Sequence, residues 1–348
     1  MGKADPWSAS LEKEELTAKK GCEDMGEIGM KKKFLITIDT EGDNLWAWKQ
    51  GDAIRTENVL YLQRFQNLCN RFDFKPVWLS NYEMLSDSRY VDFISSVEQS
   101  GTGELGMHLH AWSTPPEHSL AVRHSGAPYL IEYPIEVMEE KIAAMTDVIR
   151  SRTGVTPVSH RAGRWAMDQR YFDLLVKYGY QVDCSVTPHV SWESNVGATE
   201  NSRGSDYSQC PEHPYEIPAS DGNGRILQVP MSIRKMGGLI FDRANTLRGI
   251  AGGIKNIGKE KTVWMRPNGG NLGALKKLQA QVAQEQTDYL MFMIHSSELM
   301  PGGSPTFPTA TSIEALYNTL ESLFAQIAKS YEGETLRRYV GDYWRKER

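Results

Sequence analysis

Residues 34–46 read FLITIDTEGDNLW, an apolar run that ends by delivering Asp39, Glu41 and Asp43 at intervals of two. On a strand that interval sends side chains to one side, so Asp39 and Glu41 can share a target. Residues 104–112, ELGMHLHAW, place His108 and His110 at the same interval. Two imidazoles beside two carboxylates make a donor set for a divalent ion. Zinc is satisfied by three N or O ligands and a water, and iron, cobalt, nickel and manganese accept similar donors. Either Asp39 or Glu41 can be the ligand. A further run, YLMFMIHSSELM, ends in His295 and Glu298; SHRAGRW carries Arg161 and Arg164 about an Ala-Gly pair; and SVTPH ends in His189.

Reactive residues at the end of one apolar run after another need elements that bring those ends together. Short apolar runs at 34–39, 76–80, 104–109, 157–160, 181–186, 226–233, 262–266 and 289–294 read as strands, alternating with helical periodicity. Ile135, Met138, Ile142, Met145 and Ile149 make one apolar helix face, closed by Gly154; a second helix carries Ile313 to Ile327 behind a cap at Thr311–Ser312. Residues 56–72, 86–99, 168–179 and 271–286 read as further helices. This is an α/β pattern with a largely parallel sheet or barrel. In such a barrel the C-terminal strand ends form one reactive face. The Pro- and Gly-containing stretches 111–134 and 187–224 are long enough to be lids or binding loops over it.

Composition narrows the function. The chain has 348 residues, 40% hydrophobic, with 39 Lys plus Arg against 44 Asp plus Glu. A net charge of -5 gives no general attraction to nucleic acid or anionic membrane. Four dispersed cysteines without a CxxC pair suit reduced thiols in a cytoplasm and exclude a thiolate zinc site. Residues 1–29 are polar and charged and read as a loosely ordered tail before a single domain over 30–348, with Met30 as a candidate alternative start. No stretch has the apolar length of a transmembrane helix. Among the eight histidines, His118, His124, His160 and His213 have no companion and read as surface or boundary residues. Asp43, just before Asn44, reads equally as a turn or helix cap.

The motifs resemble those of the polysaccharide deacetylase family, the NodB-homology or carbohydrate esterase 4 group. TIDTEGD is similar to its T-[FY]-D-D-G motif, with the acids one residue further apart and Glu in the second place, a variant associated with members acting on surface glycans. HLHAW stands where the family has H-[ST]-x-x-H, with Trp112 at the place of the second histidine. HRAGRW matches the arginine motif, CSVTPH the fourth motif loosely, and IHSSELMPGGSP the last. The resemblance spans roughly residues 33 to 308 and implies a distorted (β/α)7 barrel with long loops.

It also implies roles. Glu41, His108 and His110 would hold a divalent ion, zinc first; Asp39 would be the base, oriented by Arg161; and His295 would be the acid. By position at the strand ends rather than by the resemblance, Asp43, Trp112, Arg164, His189 and Glu298 are the candidate substrate-binding groups; Glu298 can also support His295 as a neighbouring carboxylate, and Trp46, Trp48 and Trp192 lie in or beside the same loops. The implied reaction is hydrolysis of an N-acyl group, chiefly N-acetyl, from an amino sugar in a surface polysaccharide or its precursor. Two alternatives share the fold: an amidase or deformylase acting on a lipid-linked, nucleotide-linked or small cyclic amide, and a decayed glycan-binding protein. A membrane-associated variant would lean on residues 246–261, TLRGIAGGIKNIGKEK.

Overall fold

In strand β1 (Lys32–Thr40), seven consecutive residues from Phe34 to Thr40 are buried, as a strand covered on both faces requires. Phe34, Ile36 and Ile38 pack into one apolar cluster and Leu35 into another. The period of two therefore separates a helix-facing row from an inward row, Leu35, Thr37, Asp39. The computed structural model describes residues 31–49, 51–124, 126–237 and 259–346. The expected N-terminal tail and most of the 246–261 stretch lie outside the described residues.

Strands β2 (Val77–Ser80), β3 (Glu104–Leu109), β4 (Ser159–Ala162), β5 (Val182–Asp183), β6 (Tyr215–Pro218) and β7 (Arg225–Gln228) follow, then β8 (Ile233–Met236), β9 (Lys261–Trp264), β10 (Tyr289–His295) and β11 (Tyr331–Glu334). The main sheet runs β10-β1-β2-β3-β4-β5-β7-β6, with β11 also on β1. From β10 to β7 every pairing is parallel, and β6 adds an antiparallel edge. These seven parallel strands curl into the distorted (β/α)7 barrel that the resemblance implies. The gap between β7 and β10 is bridged by single bonds rather than a ladder: Met231 N to Val186 O, Met265 N to Ser232 O and Met293 N to Met265 O.

The described α-helices are α1 (Val59–Arg71), α2 (Tyr82–Ser86), α3 (Ser88–Ser100), α4 (Ile135–Thr153), α5 (Gln169–Lys177), α6 (Leu272–Gln284), α7 (Ala310–Ile327) and α8 (Leu336–Lys346). Gly154 ends α4 with φ 74°, the left-handed conformation that favours glycine. Three expectations need correction. The run 226–233 is two strands, because the chain leaves the barrel through Pro230 to pair β8 with β9 in a separate sheet. The cap of α7 is Thr309, whose hydroxyl accepts from Ser312 N. The stretch 187–224 contains β6, and the β11–α8 segment was not foreseen.

Phe324 of α7 is fully buried and meets Phe34, Phe65, Phe72, Phe74 and Phe292, all edge-on. Truncating it should cost about 3–5 kcal/mol. Denaturant titration of Phe324→Ala against wild type checks this; a loss near zero would mean that the helix does not anchor the barrel.

Candidate active site

One rule of register builds the site. The helix-facing cluster takes Leu105, Met107 and Leu109 from β3, Ala162 from β4, and Leu290, Phe292 and Ile294 from β10. The alternate residues, His108, Arg161 and His295, are left for the interior with Asp39. Parallel pairing sets Asp39 beside His295 and His108 beside Arg161. Glu41 and His110 extend the same rows just beyond their strands.

Arg161 is fully buried. Its guanidinium donates to Asp39 Oδ1 at 2.6 Å, Thr37 Oγ1 at 2.9 Å and the Cys184 carbonyl at 3.1 Å. Burial would raise the Asp39 carboxyl, but the charges of Arg161, His108 and His295 hold it below the ordinary range. Asp39 is thus ionised and fixed in direction.

Glu41 Oε2 lies 3.3 Å from His110 Nε2 and 3.7 Å from His108 Nε2, and the two Nε2 atoms are 3.0 Å apart. His108 Nδ1 is 2.9 Å from the Arg161 carbonyl. A carbonyl only accepts, so Nδ1 carries a proton, and Nε2 is the atom that offers a lone pair towards His110 once the ring is neutral, as it is when it holds a cation. His110 Nδ1 is buried without a hydrogen-bond partner among the described residues. Three donors that crowd their lone pairs at such spacing fit a cation. Tetrahedral zinc at 2.0–2.1 Å from nitrogen sets its donors about 3.3 Å apart. Among the described residues this trio is the group of His, Cys, Asp or Glu whose ligand atoms lie within 4.8 Å of one another. Burial would raise the Glu41 carboxyl, yet the His295 charge and the two histidine bonds push it far below the usual range. His108 is raised by Asp39 and Glu41 against the effect of burial.

His295 Nε2 stands 3.9 Å from both Asp39 Oδ2 and Glu41 Oε1. Behind it, Nδ1 is 3.2 Å from Glu298 Oε2 and 3.0 Å from Arg266 Nη2, and Arg266 also donates to Glu298 Oε1 at 3.1 Å. Arg266 was missed in the sequence although it follows β9 as the other groups follow their strands. A cavity of about 1620 Å³ is lined by Asp39, Glu41, His108, His110, Arg266 and His295. Trp112 stacks on His110, with ring centroids 4.2 Å apart. Trp46 meets His295 edge-on at 5.0 Å, and Trp48 and Trp192 also line the cavity.

Several residues fall elsewhere than expected. Asp43 accepts from Glu57 N, Asn58 N and Asn58 Nδ2, so it fixes the entry to α1, and it is not among the residues that line the cavity. His189 pairs with Glu212, away from the cavity lining. Glu298 is buried behind His295 and orients it instead of facing the cavity. Arg164 lines the cavity but spends its guanidinium on the Ala127 and Val196 carbonyls, tying two loops together. His160 is fully buried rather than at the surface, held between Asp183 at 2.7 Å and the Tyr171 hydroxyl at 2.8 Å.

Fold and donor set together define a distorted (β/α)7 barrel with an acid and imidazole cluster at the C-terminal ends of its strands. No protein-family model matches the chain, and no curated protein matches it. Solved structures do. A Parabacteroides distasonis protein described as a candidate glycoside hydrolase/deacetylase is 10% identical, with a TM-score of 0.58 over 93% of this chain and 74% of that one. A Mycobacterium smegmatis protein described as a candidate polysaccharide deacetylase is 13% identical, with a TM-score of 0.51 over 94% and 96%. A GH57 branching enzyme from Thermococcus kodakaraensis is 12% identical, with a TM-score of 0.50 over 90% and 72%. What is shared at these identities is the fold: the chain has the NodB-like deacetylase fold, which a branching enzyme uses as well.

Burial would raise the Glu298 carboxyl, but Arg266 and His295 bring it down to about 2. A carboxyl depressed by folding stabilises the protein above its unfolded pKa, about 4.3, and loses that contribution as pH falls through the folded value. The margin of wild type over Glu298→Gln should therefore be constant above about pH 5 and shrink by about 3 kcal/mol towards about pH 2. Urea titrations across that window check it; a pH-independent margin would show that folding leaves the Glu298 carboxyl unshifted, and a margin that falls as pH rises would show that it is neutral in the fold.

Proposed function

We propose that the protein is a metal-dependent hydrolase that removes an N-acyl group, acetyl first, from an amino sugar in a surface polysaccharide or its precursor. The observation that carries this reading is the convergence, on one cavity, of a metal-ready trio, a buried ionised carboxylate held by an arginine, and an imidazole backed by a carboxylate. Glu41, His108 and His110 would hold the ion, zinc first by donor type. When bound, such an ion lowers the pKa of water and polarises a carbonyl.

The remaining work belongs to side chains. Asp39, kept charged by Arg161, accepts the proton of the attacking water. His295 gives a proton to the departing nitrogen, and Glu298 and Arg266 fix its ring for that transfer. Trp112, rigid on His110, offers a flat face to a sugar ring. The shared branching-enzyme fold does not choose the chemistry. The donor set favours amide hydrolysis over glycosidic cleavage, because Glu41 is committed to two imidazoles and Asp39 to Arg161. In this reading residues 30–348 are one working unit, and the buried thiols Cys69, Cys184 and Cys210 suit a cytoplasmic setting.

Elemental mass spectrometry of wild type should find close to one transition-metal ion per chain, and His108→Ala combined with His110→Ala should lose it. Metal-loaded wild type should release acetate from N-acetylated oligosaccharides, with formate followed in parallel. Asp39→Asn should lower the rate about 10²- to 10⁴-fold with metal content unchanged. Chains that hold no ion after reloading and release no acid would leave the decayed glycan-binding reading in its place.

A further inference from the structure

One stretch of the cavity wall is polar, buried and unsatisfied. Trp112, Ser113 and Thr114 follow the histidine pair and line the cavity. The Trp112 indole nitrogen and the Ser113 and Thr114 hydroxyls are buried with no hydrogen-bond partner among the described residues. Lys141 of α4, 1% exposed, lines the same cavity. Its ammonium donates to the carbonyls of Thr114 at 2.5 Å and Pro116 at 2.6 Å and stands 5.3 Å from the centre of the Tyr133 ring. No carboxylate bonds to it among the described residues; Glu117 and Glu140 act on it only through space.

Buried polar groups in folded proteins find partners, and a lysine is almost never fully buried without a counter-charge. Pinning the loop accounts for part of this, since Lys141 fixes Thr114, whose N–H donates to the His110 carbonyl at 3.0 Å. It leaves the three unpartnered groups unexplained. An indole N–H and an ammonium only donate, and hydroxyls donate as well, so the missing partner is rich in acceptors. The charge balance points the same way. Lys49, Lys141, Arg164 and Arg266 line the cavity against Asp39, Glu41 and Glu117; with Asp39 paired to Arg161 and Arg266 to Glu298, three cations remain against two carboxylates.

We propose that Lys141 and the 112–114 segment form an oxyanion subsite that takes the carboxylate or phosphate of an acidic saccharide. Burial draws the Lys141 ammonium down to about 8, which leaves it charged at neutral pH. The subsite rests on the hydrolase reading only in that the substrate is an acylated amino sugar.

Calorimetry on the full, metal-loaded chain tests it with three probes: N-acetylglucosamine, its 6-phosphate, and N-acetylmuramic acid. The acidic probes should bind roughly tenfold tighter than the neutral one. Lys141→Met should erase most of that gap and Lys141→Arg should keep it; whichever acidic probe binds tighter identifies phosphate or carboxylate as the source. Equal affinities in wild type, or no heat from any probe at millimolar concentration, overturn the subsite. A gap that survives in Lys141→Met also overturns it, because the anion is then held elsewhere. Should Lys141→Met fail to fold, Ser113→Ala with Thr114→Val reads the same gap while keeping the lysine's carbonyl partners, and an unchanged gap again overturns the proposal. Asp39→Asn, titrated beside wild type, separates binding heat from turnover; an acid preference in a chain that releases no acid from any acylated sugar would sink the hydrolase reading and leave the subsite standing.

Discussion

Everything at the mouth of the barrel is referred to one buried cation. Arg161 has no exposed surface, and its donors reach β1 through Asp39 and Thr37 and the end of β5 through Cys184. Its own carbonyl faces His108 Nδ1. One residue thus holds the carboxylate and fixes the tautomer of the first histidine. A buried ion pair of this kind adds little net stability, since desolvating both charges offsets their attraction. Removing one partner is what costs, because the other charge is left uncompensated. The pair is better understood as a device for position: it keeps Asp39 ionised where burial alone would neutralise it.

Much of this was legible in the sequence for a physical reason. A parallel barrel buries both faces of each strand, so polar residues inside a strand are expensive, and those that survive collect at the strand ends. Asp39, Glu41, His108, His110, Arg161 and His295 stand out against apolar runs, and the period of two carries them to one side. The same reasoning fails where polar residues have a second use. Asp43 and His189 also follow apolar runs, but backbone amides at the start of α1 and Glu212 claim them. Nothing in residue type separates a carboxylate that caps a helix from one that meets a ligand.

Tertiary geometry hid the remainder. Residues 226–233 form one apolar run, and hydrophobic periodicity carries no sign that the chain leaves one sheet for another at Pro230. That departure brings β9 alongside and supplies Arg266 to His295, a contact between residues 29 apart in sequence. Lys141 sits in a helix that reads as amphipathic, where a lysine is ordinarily a solvated residue. Its burial follows from the 111–134 loop folding across the helix, which local pattern does not encode.

That loop also explains how two histidines at H-x-H spacing bring their Nε2 atoms within 3.0 Å of each other. Residues two apart on β3 and its extension need the second ring steered, because His110 is already past the strand. Trp112 stacks on one face of His110, and a Cβ at Gly163 would come within 2.6 Å of His110 Cδ2, so the ring has little room to turn. The roof above is braced in the same manner. Glu132 accepts from Ala198 N, Thr199 N and the Thr199 hydroxyl, while Arg164 holds the carbonyls of Ala127 and Val196. The two long loops are therefore tied to each other and to the end of β4. A barrel of this kind can be shared with a branching enzyme; the cross-braced loops wall the cavity of this chain, and selectivity for a substrate has to be built there.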